Sequence, residues 1–214
     1  MESSDRLSLI LEDGRALLNG QAVGKGMSTP LGEFTGPHDG WVARADGVMV
    51  GDSGVFIANV QSGSVHLEAI EGGTSLLVGF LLDGALEVSS DADGTEQVEV
   101  GGGFAMRAST SGTFHWRQPS AAVMLVVPDT EGFSGHIGET VVRLDPSNAL
   151  LPPVTAFLKA VATAQAKPSE QSAKLLEQLI RSQIDAVLLT HLAGADGNHS
   201  IVGDHECASQ LKHG

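Results

Sequence analysis

The sequence has no tyrosine, a single cysteine and few basic residues. Because Cys207 is the only cysteine, no disulfide can form within the chain, which favours a reducing compartment such as the cytoplasm. Twelve Lys and Arg residues stand against 26 Asp and Glu residues, a net charge of −14 that repels phosphate backbones. We therefore expect no binding of nucleic acid by this chain itself.

Long hydrophobic segments are absent as well. The longest apolar run, 75–82, is far shorter than the roughly 20 residues that a membrane-spanning helix needs. Residues 1–18 lack the basic start and apolar stretch of a secretory signal. The sequence therefore predicts a cytoplasmic protein with no membrane partner.

Glycine, in contrast, is abundant, with 27 in 214 residues. Within 41–145, Gly, Asp or Pro interrupts short apolar runs at intervals of about eight to twelve residues, which is typical of an all-β sandwich or barrel. We predict strands at 41–50, 55–60, 64–70, 75–82, 85–89, 97–100, 104–107, 113–117, 121–127 and 140–144. The pair Asp83-Gly84 predicts a tight hairpin, because both residues tolerate a positive φ.

Three other segments flank this β region. Residues 1–40 are interpreted as an N-terminal arm, in which the weak pattern of 7–26 favours a short helix over a strand. Within 146–193 the apolar period becomes 3.6, with a break at Lys167-Pro168, and this predicts an α-helical hairpin. The polar segment 194–214 has no apolar period and is interpreted as a linker or tail.

Histidines and carboxylates raise the question of a metal site. His66 and Glu68 share one face of a predicted strand, and His115 on a later strand is a possible third ligand. No His-x-His pair is present, and the tail has further candidates that fit no recognised zinc framework: His199, His205, Cys207 and His213. We therefore expect no metal and no cofactor. The sequence also contains no motif of nucleophilic catalysis.

An apolar pocket inside the barrel is a further possibility. Strand alternation places Phe114 and Trp116 on one face, where they would line such a pocket. Aromatic side chains that simply fill the barrel are the alternative. The candidate ligand-binding residues are His66, Phe80, Met106, Phe114 and Trp116.

The apolar face of the second predicted helix is a candidate interface. A polar Gln183 among aliphatic residues is typical of a seam between helices, where one polar position sets the register. The same face could instead cover the barrel. We predict a homodimer with Leu176, Leu179, Ile180, Gln183 and Val187 in its interface.

Several segments occur in the order found in one known family. They are Gly36-Pro37-His38, 54–60 followed by His66, 80–88, 101–105, 124–128 and the helix pair at 150–192. Together they resemble the N-terminal ligand-sensing and dimerisation region of AraC/XylS-family transcription regulators. The resemblance covers roughly 7–192, and it implies a cupin-like, jelly-roll β-barrel followed by an α-helical hairpin.

The resemblance also implies a function. Such a region is not an enzyme; it binds a small-molecule effector, forms a homodimer and controls an attached or partner DNA-binding domain. DNA would be contacted only through a C-terminal helix-turn-helix domain that is not present in this chain. One alternative is a metal-dependent cupin enzyme, an isomerase or dioxygenase using His66, Glu68 and His115. The second alternative is a filled barrel that binds no ligand and serves only as a dimerisation scaffold.

Overall fold

The structure, a computed structural model, describes residues 6–12, 15–18, 21–22, 33–35, 42–69, 74–91, 94–129, 137–138, 140–165 and 168–198. Strands precede two helices along the chain. The strands are β1 Arg6–Glu12, β2 Arg15–Leu18, β3 Gln21–Ala22, β4 Glu33–Thr35, β5 Val42–Val50, β6 Ser53–Val60, β7 Gly63–Glu68, β8 Ser75–Asp83, β9 Leu86–Ser90, β10 Thr95–Val98, β11 Gly103–Arg107, β12 Gly112–Trp116, β13 Ser120–Pro128 and β14 Val142–Leu144. The helices are α1 Leu151–Thr163 and α2 Glu170–Asn198.

The strands form two antiparallel sheets that pack face to face. The larger sheet has nine strands in the order β14-β11-β8-β13-β6-β5-β1-β2-β3. The smaller sheet has five strands in the order β10-β9-β12-β7-β4. Because sequence neighbours such as β8 and β9 lie in different sheets, the chain crosses repeatedly between the layers.

The central strands of the nine-stranded sheet are buried on both faces. On β13, Ala122 and Met124 face the smaller sheet, whereas Val123 and Leu125 face the two helices. The same alternation occurs on β6 and β8. Apolar residues are therefore required at successive positions, which explains the uninterrupted apolar runs at 75–82 and 121–127.

The five-stranded sheet has only one apolar face. Val65 and Leu67 of β7 point into the space between the sheets, and Phe114 and Trp116 of β12 do the same. The intervening residues are polar and more exposed, as alternation requires of a sheet with one solvated side. The barrel interior thus lies between the two sheets, and the helices form a third layer.

Both helices contribute apolar faces to this third layer. Leu151 and Leu158 of α1 and Ile180 and Val187 of α2 are buried against the nine-stranded sheet. Pro152 and Pro153, the second and third residues of α1, are compatible with the first turn of a helix, where a missing N–H would have no partner within the helix. The predicted helical hairpin is confirmed. Neither helix combines the length and the apolar composition needed to cross a membrane, within the part of the chain described.

The expectation of a short helix at 7–26 is wrong. Residues Arg6–Glu12 form β1, which pairs along its whole length with β5, from Arg6 opposite Val48 to Glu12 opposite Val42. Its leucines Leu7, Leu9 and Leu11 have the strand period of two and pack into the barrel core. The period of two at these leucines is a local signal of a strand, whereas the paired residues of β5 lie 30 to 42 positions away in sequence.

The turn at Asp83-Gly84 is also not a hairpin. Gly84 has a φ of 100°, as a tight turn requires. However, β8 pairs with β11 and β13, whereas β9 pairs with β10 and β12. The turn therefore moves the chain from one sheet to the other.

Trp41, the segment 36–38 and the tail 199–214 lie outside the described residues.

Gly79 permits a close contact within the barrel core. It lies opposite Phe104 on the neighbouring strand, and a methyl group at this position would overlap the Phe104 ring. We expect Gly79→Ala to lower the free energy of unfolding by about 1–3 kcal/mol through overpacking. Urea unfolding measures the loss.

A double-mutant cycle tests the cause of this loss. Phe104→Leu in the Gly79→Ala background should recover part of the stability, because the smaller side chain relieves the overlap. Gly94→Ala is the control, since a methyl group there meets no atom within 4 Å. Strictly additive effects of Gly79→Ala and Phe104→Leu would contradict this explanation.

Candidate functional site

A cavity of about 60 Å³ lies inside the barrel, between the two sheets. Its walls come from β1, β5, β6 and β13 of the larger sheet and from β7 and β12 of the smaller one. The lining residues are Leu9, Leu11, Ala43, Arg44, Ala45, Ala58, Val60, Val65, Phe114, Trp116 and Met124. All except Arg44 are apolar, so the cavity is suited to a nonpolar ligand.

Two of the five predicted ligand-binding residues line this cavity. Phe114 and Trp116 lie two apart on β12 and point inward, and they are only 3% and 4% exposed. The Phe114 ring is held by Phe104, whose centroid lies 5.4 Å away at an interplanar angle of 55°. The aromatic wall is therefore fixed by packing as well as by the strand.

The other three predicted residues lie elsewhere. Met106 is fully buried in the barrel core but does not border the cavity. Phe80 points away from the barrel and packs in the layer beneath the helices. His66 lies on the outer face of the smaller sheet, because its neighbours Val65 and Leu67 take the inward positions. A role in lining this cavity is thus wrong for Met106, Phe80 and His66.

The outer face of the smaller sheet holds the polar groups that the metal hypothesis would use. His66 Nδ1 lies 3.1 Å from Thr113 Oγ1, and His115 Nδ1 lies 2.7 Å from Ser64 Oγ. The enzyme alternative requires His66, Glu68 and His115 to converge inside the barrel, and they do not. The described residues contain no group of three or more His, Cys, Asp or Glu placed to hold a metal.

The sequence reasoning missed most of the cavity wall. Leu9 and Leu11 were missed because their segment was predicted to be helical. Ala43, Ala45 and Ala58 were missed because alanine attracts no functional interpretation. The available signal was their inward position on two paired strands, where Ala45 lies directly opposite Ala58. Three small residues at one place in a core leave volume unfilled.

Among the described residues that line the cavity, Arg44 is the one with a charge, and that charge is paired on the outer surface of β5. Its Nε lies 2.7 Å from Asp46 Oδ2, and the Arg44 side chain is 59% exposed. Burial acts to raise the pKa of Asp46, but hydrogen bonds from Ser8 and Arg44 and the charges of Arg44 and Arg6 outweigh it. The pKa of Asp46 is thus held below its usual value. The carboxylate therefore remains ionised and holds the guanidinium on the outer surface.

A larger hollow, of about 290 Å³, lies where β9 and β10 meet the turn after β8. Glu87 and Arg117 form an ion pair there, and Glu87 Oε1 also accepts a hydrogen bond of 3.3 Å from Gln97 Nε2. Val100, also at this hollow, is 53% exposed. The hollow is lined by both charged and apolar side chains, unlike the almost wholly apolar cavity between the sheets.

The predicted interface on α2 requires a correction. Ile180 and Val187 are completely buried within one chain, and Leu176 packs partly against the same core. Gln183 is half-buried, whereas Leu179 is 45% exposed. The face predicted for the seam is therefore the face that covers the barrel. Ile180 and Val187 cannot contact a second copy, and only Leu179 of the five is well exposed.

Helix α2 is also attached to the barrel by a polar contact. Glu177 Oε1 accepts the Asp52 N–H at 3.1 Å and an Arg181 N–H at 2.7 Å. The carboxylate lies over Gly51, whose φ of 61° closes the turn between β5 and β6. A Cβ at Gly51 would overlap the carboxylate, so the turn and the helix depend on each other.

Comparison with solved structures identifies this architecture. The AraC-like transcriptional activator CuxR aligns with 75% of this chain, with a TM-score of 0.60 and 16% sequence identity. This chain has a cupin fold. The predicted cupin-like barrel with a helical hairpin is confirmed, as is its likeness in fold to an AraC-like regulator. The chain spans 62% of the length of the CuxR chain.

Other cupin proteins overlap with part of the chain. Ectoine synthase from P. lautus aligns with 48% of this chain and 76% of its own, with a TM-score of 0.36 and 13% identity. A cupin domain of an XRE-family transcriptional regulator from Enterobacter cloacae aligns with 35% of this chain and 79% of its own, with a TM-score of 0.31 and 12% identity. No family model and no curated protein matches the chain by sequence.

The burial of Ile180 leads to a prediction about folding. Ile180→Glu places an unpaired charge between α2 and the nine-stranded sheet, and it should lower the free energy of unfolding by at least about 3 kcal/mol. Urea unfolding followed by circular dichroism measures the loss. Gln178→Glu adds the same charge at an exposed position of the same helix and should change stability by less than about 0.5 kcal/mol. Equal stabilities of the two variants would contradict the assignment of Ile180 to the core.

Proposed function

We propose that this chain is the effector-sensing and dimerisation region of an AraC-type transcriptional regulator, controlling an attached or partner DNA-binding domain. The observation that carries the proposal is the cavity inside a cupin barrel whose larger sheet packs directly on a helical hairpin. The fold of an AraC-like activator supports it. With a net charge of −14, the chain itself is unsuited to contact DNA, which requires a separate basic domain.

Strand β5 provides a physical link between the cavity and the helices. Ala43 and Ala45 line the cavity, whereas Val48 and Val50 on the same strand pack beneath the helices. The turn that follows β5 is bonded to Glu177 of α2. An effector that displaces β5 therefore displaces α2. It shifts the equilibrium between two helix positions only by its difference in affinity for them.

A stripe on the outer side of α2 supports a homodimer. The stripe consists of Leu175, Leu179, Ser182, Ala186 and Leu189, with successive spacings of four, three, four and three residues. Its leucines are 60%, 45% and 55% exposed. This spacing is that of a coiled-coil seam, and in a two-fold dimer each helix would present the same stripe to its copy. The outer stripe thus replaces the face predicted from sequence.

The outer stripe predicts the effect of a charge at its centre. Leu179→Glu should convert the dimer to a monomer without unfolding it, because two like charges would meet in a desolvated seam. Sedimentation velocity at tens of micromolar gives the mass, and circular dichroism reports the fold. Thr95→Glu, which adds the same charge on an exposed edge strand of the other sheet, should remain dimeric. A monomeric wild type at this concentration would remove the dimer from the proposal.

A reporter assay tests the regulatory role. The chain is fused to a DNA-binding domain that represses a reporter only when it is brought together as a dimer. We expect strong repression by the wild-type fusion and at least about tenfold weaker repression by the Leu179→Glu fusion, because operator binding depends on the dimer. A metabolite library added to the culture then identifies compounds that change repression. Absence of repression by a well-expressed wild-type fusion would overturn the proposed function.

A further inference from the structure

Three alanines create the space between the sheets. Ala45 of β5 lies opposite Ala58 of β6, and Ala43 lies opposite Val60. All three alanines are buried and border the cavity. Because interiors are otherwise close-packed, a longer side chain at any of these positions would fill the volume that faces Phe114 and Trp116.

The described wall of the cavity provides no charge to a ligand. Arg44 is its one charged residue, and that guanidinium is paired with Asp46 on the exposed side of β5. The remaining described lining residues are aliphatic, aromatic or methionine side chains. An ionised ligand group placed here would lose its hydration without gaining a partner, and burial of such a group is strongly unfavourable. An uncharged ligand has no such cost.

The volume limits the size of the ligand. About 60 Å³ corresponds to the space of roughly two water molecules. An apolar cavity of about 150 Å³ is large enough for benzene. Met124 is the lining residue with the most flexible side chain, and a change of its rotamer can enlarge the cavity. The cavity as it stands is therefore smaller than one aromatic ring, and a ligand of that size requires a movement of Met124.

We propose that the effector of this cupin is a small, uncharged, apolar molecule no larger than about one aromatic ring, held between Phe114, Trp116 and the three alanines. This inference rests on the proposed function, because it gives the chemical class of the effector that the sensor binds. Sugars and carboxylic acids fit the described wall less well than an apolar molecule, because it offers almost no partners to their polar groups.

Matched probes test the chemical class. The melting temperature of the full chain is measured with toluene as the neutral probe, and with benzoate, benzylamine and arabinose as charged or polar probes. Toluene at a hundred times its Kd should raise the melting temperature by about 5–10 °C. The other three should leave it unchanged at the same concentration.

Variants locate the binding. Ala45→Leu fills the cavity and should abolish the shift with toluene, whereas Ala156→Leu, on the exposed side of α1, should keep it. If Ala45→Leu fails to fold, Ala45→Val makes the same test with a smaller side chain. A shift with toluene that survives in a folded Ala45 variant would place the ligand elsewhere and overturn the inference.

The charged and polar probes separate failure of this inference from failure of the proposed function. A shift with benzoate, benzylamine or arabinose that is lost in Ala45→Leu would overturn the apolar class and leave a sensor function in place. A shift that is lost instead in Arg117→Ala would place the ligand in the hollow beside Glu87, which also overturns the inference. No shift with any probe overturns the inference as well, and the reporter assay then decides whether the proposed function falls with it.

Discussion

The burial of the nine-stranded sheet on both faces at its centre is the constraint on which the rest of this structure depends. Its central strands β6, β8 and β13 supply one side of the barrel core and one side of the layer beneath the helices. A strand has side chains on both faces, so each central strand takes part in two cores at once. The barrel and the helical hairpin are consequently parts of one folding unit. Loss of packing in one layer removes support from the other.

Much of the fold could be predicted because its signals are local. Turn residues mark the ends of the strands between 42 and 144, and the change of period marks the two helices. The N-terminal strands could not be predicted in this way. Residues 6–12 have one local signal, the period of two at Leu7, Leu9 and Leu11, while the strands on either side of β1, which are β5 and β2, are set by pairing that the sequence does not show. The path across Asp83-Gly84 likewise depends on which sheet each strand joins.

The candidate site shows a different limit. Alternation correctly placed Phe114 and Trp116 together, and the same rule applied to Val65 and Leu67 would have placed His66 outside. Alternation shows which residues of a strand share a face, but it does not show which face of a doubly buried strand meets the barrel. Phe80 was therefore assigned to the barrel interior, whereas it packs beneath the helices. The volume of the cavity depends on side chains from several strands. The local sequence around Ala43, Ala45 and Ala58 therefore does not indicate a cavity. For α2, the apolar pattern correctly identified a buried face. It did not show that this face packs on the nine-stranded sheet and not on a second copy of the chain.

The asymmetry between the two sheets has a consequence for how the proposed sensor would evolve. Residues 43, 45 and 58 lie on strands that also support the helices, so changes there alter ligand fit and helix position together. Val65, Phe114 and Trp116 lie on the smaller sheet, whose other face is solvated. Substitutions on that wall can reshape the cavity while the helix layer keeps its packing. Under the proposed function, selection for a new ligand would therefore have a route through β7 and β12 that leaves the helix layer unchanged, and sequence diversity among relatives should concentrate on this wall.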